Sequence, residues 1–173
     1  RFAGTQGAQR HHLSLLETID ALPPHVDLLI HATAADARAQ TTRAFFTAHA
    51  ADAVIFEKIL FQTIEDHADI ERLLVEHGVR AWVNTPRRCW PDYVALRERV
   101  SGRGPIVMRA VAAAADRMAT SAIHWLDLLS FLRDDRSDFR MDGRRGALTP
   151  DHARHPGSLE LVGHLIGLGD CGD

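Results

Sequence analysis

The chain has 173 residues, a length that suits one domain or a small pair, and its 46% apolar and 25% charged residues are the composition of a soluble globular protein. No run is long and apolar enough to span a bilayer, the first residues lack a signal-peptide pattern, and the two cysteines, Cys89 and Cys171, make neither a disulfide framework nor a zinc set, so a reducing cytoplasm is the expected compartment. A net charge of −3 with acids and bases interspersed argues against a nucleic-acid surface, and the eleven histidines are scattered, adjacent only at His11-His12, which suits solvated positions better than a metal site.

In chain order, the opening Phe2-Ala-Gly4-Thr5-Gln-Gly7 places Gly4 and Gly7 at the spacing of the second and third glycines of Gly-x-Gly-x-x-Gly. That turn lets backbone amides approach a pyrophosphate and lets a helix pack closely on a sheet. Phe2 stands where the first glycine belongs, so the fingerprint is partial, and a flexible glycine-containing terminus is the alternative. A helix is expected from Ala8 to Leu16. A dinucleotide fold then needs a further strand ending in an acid that holds the adenosine ribose, but only Glu17 to His25 precede the next apolar run. A βαβ unit takes about 30 residues, so one strand-helix section is expected to be missing near residues 16–17.

The next stretch is regular. Val26 to Thr33 reads as a strand, Asp36 to His49 as an Ala-rich helix carrying Phe45 and Phe46, and Ala53 to Phe56 as a second, buried strand. Thr63 is a plausible N-cap for a helix to His77 with Ile64, Ala68, Leu73 and Leu74 on its apolar side, Gly78 occupies the C′ position, and Val79 to Val83 forms a third strand. Two consecutive βαβ units imply a parallel sheet. Ligands bind at the carboxyl edge of such sheets, which is where the second strand delivers Glu57 and Lys58; an ordinary ion pair capping the strand end is the alternative.

Beyond the third strand, Pro86 and Pro91 bracket Arg87-Arg88-Cys89-Trp90, and Pro91 starts a helix to about Val100, ended by Gly102. Pro105 to Val111 reads as a strand and Thr120 to Leu132 as a buried helix with Ile123, Leu126, Leu129 and Leu132 along one side. In the tail, Asp134 to Asp138 and Asp142-Gly-Arg-Arg-Gly146 are charged and turn-rich, and Ser158 to Gly163 alternates like an exposed strand. The fold class is α/β: a Rossmann-like parallel sheet over residues 1–86, then a partial α+β domain over 87–173.

Four short pieces in order carry a family resemblance: Ala32-Thr33-Ala34 after the first of these strands, Glu57-Lys58-Ile59 after the next, Asn84-Thr-Pro-Arg87-Arg88 after the third, and Thr120-Ser-Ala-Ile-His124-Trp-Leu-Asp127 on the later helix. Together they resemble the Gfo/Idh/MocA family of NAD(P)-dependent oxidoreductases, over roughly Val26 to Leu132. The resemblance implies a nicotinamide cofactor, NAD or NADP, with cofactor-binding positions at Gly4, Thr5, Gly7, Ala32, Thr33, Glu57 and Lys58. It also implies a hydroxyl or keto group of a sugar-like small molecule as the substrate, and a homo-oligomer formed through the second domain. His124 falls on the family's catalytic histidine, and an imidazole that titrates near neutrality suits a base that takes a hydroxyl proton. Lys58 would hydrogen-bond the reacting oxygen and stabilise its developing charge, with Glu57 in a structural role. Arg88, Trp90 and Thr120 are the candidate substrate contacts; Arg87 or Arg88 would act as a bidentate donor, and Trp90 or Trp125 as a flat apolar floor.

The chain departs from that family at several positions. Ile59 stands where the family has proline, Thr120 where it often has an acid, and Arg38 near a position that commonly carries histidine. Threonine can exchange a hydrogen bond with an imidazole but supplies it no charge. These departures keep a second class of function open, a non-catalytic nucleotide- or sugar-binding relative that serves as a regulatory or scaffolding subunit. A flavodoxin-like sheet without nicotinamide chemistry is the third.

Overall fold

The three apolar runs pair as parallel strands: β1 (His25–His31), β2 (Ala50–Phe56) and β3 (Arg80–Val83), in the order β1-β2-β3. The computed structural model describes residues 13–104, 106–109, 118–134, 139–150 and 159–169. The chain divides into two units, Arg1–Asn84 and Thr85–Asp173. In the first, β1 connects to β2 through α1 (Ala35–Ala48), and β2 to β3 through α2 (Ile64–Glu76). The helices touch one another and so lie on one face of the sheet. This is a doubly repeated βαβ arrangement, an α/β fold of Rossmann-like type.

The alternation of side chains along each strand decides what that face buries. Leu29 pairs with Val54, and His31 with Phe56, across the β1-β2 ladder. Val54 and Phe56 are fully buried in one cluster with Ala39, Phe45 and Phe46 from α1 and Ile70 and Leu74 from α2. Burial of each large side chain contributes about 2 kcal/mol. Residues of the other parity, Leu28, Ile30 and Trp82, stay exposed, Ile30 at 67%. Among the described residues no strand pairs with the outer edge of β1 or of β3.

Helix ends follow local chemistry. Thr63 Oγ1 accepts from the Asp66 amide and its hydroxyl donates to the Asp66 carboxylate, closing the first turn of α2. Gly78, at φ +66°, turns the chain out of α2 in the left-handed region that favours glycine. The buried side of α2 is set by Ile70 and Leu74, with Leu73 half-buried; Ile64 and Ala68 face solvent, which corrects the stripe expected from sequence. Ile64 lies in the first turn, ahead of the part of the helix that meets the sheet.

The second unit holds α3 (Pro91–Val100), α4 (Met118–Arg133) and an antiparallel pair, β4 (Phe139–Pro150) and β5 (Leu159–Gly169). Helices α3 and α4 pack on each other and on a 3-10 turn at Pro86–Cys89, and α4 also meets β5. Leu128 and Leu132 are the buried residues of α4, so Leu128 joins the expected stripe.

Three expectations are corrected. Of the helix expected from Ala8 to Leu16, residues 8–12 lie outside the described residues, and Leu13 to Leu16 form no helix; Leu13, Leu15 and Leu16 are exposed, so this stretch lacks the buried face that stabilises a short helix. Ile106 to Arg109 form no strand; Val107 is exposed and no neighbouring strand pairs with them among the described residues. The turn-rich Asp142-Gly-Arg-Arg-Gly146 is strand instead, because β5 pairs along it, Asp142 with Ile166 and Arg144 with His164, before the register shifts between Arg145 and Leu148.

Candidate functional site

Because the strands are parallel and in step, their last residues, His31, Phe56 and Val83, lie side by side. The ladder continues one residue further, with the Glu57 amide donating to His31 O at 3.0 Å and the Asn84 amide to Phe56 O at 2.7 Å. Ala32-Thr33, Glu57-Lys58 and Asn84 are thereby gathered at one carboxyl edge, the place where open α/β sheets bind ligands. Lys58 is half-buried there and is the only lysine of the chain.

Three side chains behind this edge fix its shape. Asn84 Nδ2 donates to Glu57 Oε1 at 2.6 Å, so the Glu57 carboxylate is held by the end of β3. His31, at the end of β1, is enclosed by three threonines: Nδ1 lies 3.1 Å from Thr42 Oγ1, and Nε2 lies 2.9 Å from Thr41 Oγ1 and 3.1 Å from Thr33 Oγ1. Thr42 Oγ1 donates to Arg38 O at 2.7 Å, so it accepts from His31 Nδ1–H, and Thr33 Oγ1 donates to Nε2; the network assigns the neutral Nδ1–H tautomer. Burial, and next the Arg38 guanidinium, push the His31 pKa down to about 4, which agrees with a neutral ring at pH 7.

The third is Arg38, in the first turns of α1 and 2% exposed. Its Nη1 donates to the carbonyls of Glu57 at 2.7 Å, Leu60 at 2.9 Å and Ile59, and its Nη2 donates to the carbonyl of Thr33. A cation this close to a helix N-terminus works against the helix dipole; four carbonyl oxygens outweigh it. Burial lowers the pKa of this guanidinium and the Glu57 carboxylate opposes that, while an arginine remains charged at neutral pH in either case.

In the second unit, α4 carries Thr120 and, one turn on, His124, both half-buried, with His124 Nδ1 turned away from solvent. Arg88 Nε donates to Asp127 Oδ2 at 2.9 Å and its Nη2 to Oδ1, a bidentate pair that holds Arg88 above its ordinary pKa. The guanidinium expected to reach substrate is therefore engaged by Asp127. Arg87 lies over the Trp125 ring at 3.5 Å, so that indole face is occupied by a cation rather than open as a floor. Trp90 is half-exposed and stacks on Tyr93 at 5.8 Å. Gly4, Thr5 and Gly7 lie outside the described residues. Among the described residues no group of three His, Cys, Asp or Glu is placed to hold a metal ion, and no helix is long and apolar enough to cross a membrane.

His31 and Thr42 were not singled out by sequence, and Arg38 stood out only as a departure from the family pattern, yet a signal was present. Arg38, Thr42, Phe45 and His49 recur at helical spacing and are all buried, so the apolar stripe of α1 runs through an arginine.

Compared by sequence, the chain matches no family model and no curated protein. Compared by structure, it is similar to an NAD-binding protein from Listeria innocua, with a TM-score of 0.59 and 20% identity over 82% of this chain and 47% of that one. It is similar to yhhX, described as a probable oxidoreductase, with a TM-score of 0.60 and 17% identity over 80% and 45%. It is also similar to a super-repressor mutant of Gal80p from Saccharomyces cerevisiae, with a TM-score of 0.63 and 13% identity over 94% and 49%. The chain spans just under half the length of each of these proteins. What it shares with them is the fold: a Rossmann-like α/β arrangement common to an NAD-binding protein, an oxidoreductase-type protein and a repressor.

Proposed function

We propose that this chain is part of an NAD(P)-dependent oxidoreductase of the Gfo/Idh/MocA type, acting on a hydroxyl or keto group of a sugar or sugar derivative. The observation that carries the reading is the gathering of Ala32-Thr33 and Glu57-Lys58 at the carboxyl edge of a parallel sheet whose fold is that of an NAD-binding protein. The small side chains of Ala32, Thr33 and Ala34 leave the edge open for a flat ring, and Lys58 supplies a donor beside it. When bound, a nicotinamide accepts or returns the hydride. Lys58 hydrogen-bonds the substrate oxygen, His124 takes or returns its proton, Thr120 serves that imidazole by hydrogen bonding alone, and Glu57, fixed by Asn84, shapes the turn that bears Lys58. Residues 1–86 form the cofactor domain and 87–173 the substrate domain in this reading, with a homo-oligomer in the cytoplasm as its setting.

The test is titration with NADH, followed by turnover against a panel of sugars and sugar acids. The expected result is micromolar binding and a Lys58→Ala variant that binds NADH but loses about 10²–10³ in kcat/KM; full activity in that variant would sink the assignment. A second reading, a nucleotide- or sugar-binding regulatory subunit, draws support from the likeness to a Gal80p super-repressor and from Ile59 and Thr120. It predicts ligand binding with no turnover on any substrate.

A further inference from the structure

We propose that Arg38 is the positioning residue of this edge. Its guanidinium ties the backbone leaving β1 to the backbone leaving β2 and so sets where Lys58 stands. One planar group with Nη1 on the Glu57, Ile59 and Leu60 carbonyls and Nη2 on the Thr33 carbonyl spans two connections separated by more than twenty residues of chain. Three of the four acceptors, Glu57, Ile59 and Leu60, bracket Lys58. The clamp is anchored from behind, since the Arg38 carbonyl accepts from Thr42, whose hydroxyl also meets His31 at the end of β1. The guanidinium fork is what lets a single residue reach both connections; lysine would offer one nitrogen, and histidine two on a shorter reach.

The inference rests on the reading of this edge as the cofactor side, and the test separates the two. Lys58 is the only lysine, so the full chain grown with 13C-labelled lysine gives one ε-CH2 signal. In the wild type that signal is expected away from the position of a solvated lysine and to shift on addition of NADH. In Arg38→Gln it is expected to move to the solvated position, with NADH affinity about 10-fold weaker, while Arg38→Lys, which adds one distinguishable signal, recovers part of both. A folded Arg38→Gln chain whose Lys58 signal is unmoved overturns the clamp. A wild-type signal that ignores NADH overturns the cofactor reading and leaves the clamp standing on the Arg38→Gln comparison. Amide exchange of the wild type needs no variant: residues 57–61 are expected to exchange as slowly as α1, and exchange at the rate of an open loop also overturns the proposal.

Discussion

Both units rely on arginine, in opposite ways. Behind the carboxyl edge, Arg38 is buried and its Nη1 and Nη2 donate to four backbone carbonyls rather than to a carboxylate. In the second unit, Arg88 and Arg97 are partly exposed and pair with the side chains of Asp127 and Asp134, and Arg97 also lies over the Phe131 ring at 4.8 Å. An arginine bound to carbonyls fixes main chain, and therefore whatever that main chain bears. An arginine bound to a carboxylate fixes another side chain, and water can replace much of what it offers.

The contrast is sharpest in stability. Arg38→Ala leaves four backbone carbonyls without their side-chain donor and is expected to cost about 2–4 kcal/mol in urea unfolding. A loss below about 1 kcal/mol would mean that the edge does not depend on the clamp. Next comes Thr42→Val, close to isosteric at a fully buried position. It removes the acceptor of His31 Nδ1–H and the donor to Arg38 O, for an expected cost of about 1–2 kcal/mol read the same way.

A pH series separates the regions through His31. Unfolded, its ring titrates near the ordinary 6.5; folded, near 4. Between those values the unfolded chain holds the extra proton, so the contribution of the neutral ring is complete above pH 6.5 and is lost as the pH falls toward about 4. The wild type is therefore expected to lose stability across that window more steeply than His31→Gln, and coincident slopes would show that the ring is not held neutral. The smallest effect belongs to Arg88→Ala, at about 1 kcal/mol or less, since its guanidinium is exposed at one end and only Asp127 is well covered.

The first unit was largely legible because its punctuation is local. Thr63 and Gly78 mark both ends of α2 by chemistry that acts within a few residues, and three apolar runs at even spacing give a parallel sheet. The carboxyl edge followed, since register alone brings Ala32, Glu57 and Asn84 abreast. Arg38 did not follow, because an arginine in a helix reads as solvated unless its carbonyl partners, brought together only by the fold, are known. In the second unit β4 was hidden for the converse reason: its local composition signals a turn, and pairing with β5 overrides it. Arg88 and Trp125 were read by what their side chains can bind in general, and neighbours distant in sequence had already engaged them.

The four-carbonyl nest also has a consequence for the order of events in folding. A guanidinium enters a low-polarity interior at a loss until its acceptors are assembled, and here the acceptors arrive only after β1 and β2 have paired and both connections have closed. The clamp is therefore expected to form in the last steps, after the transition state, where an interaction acts as a latch: Arg38→Gln is expected to speed unfolding and to leave the folding rate nearly unchanged.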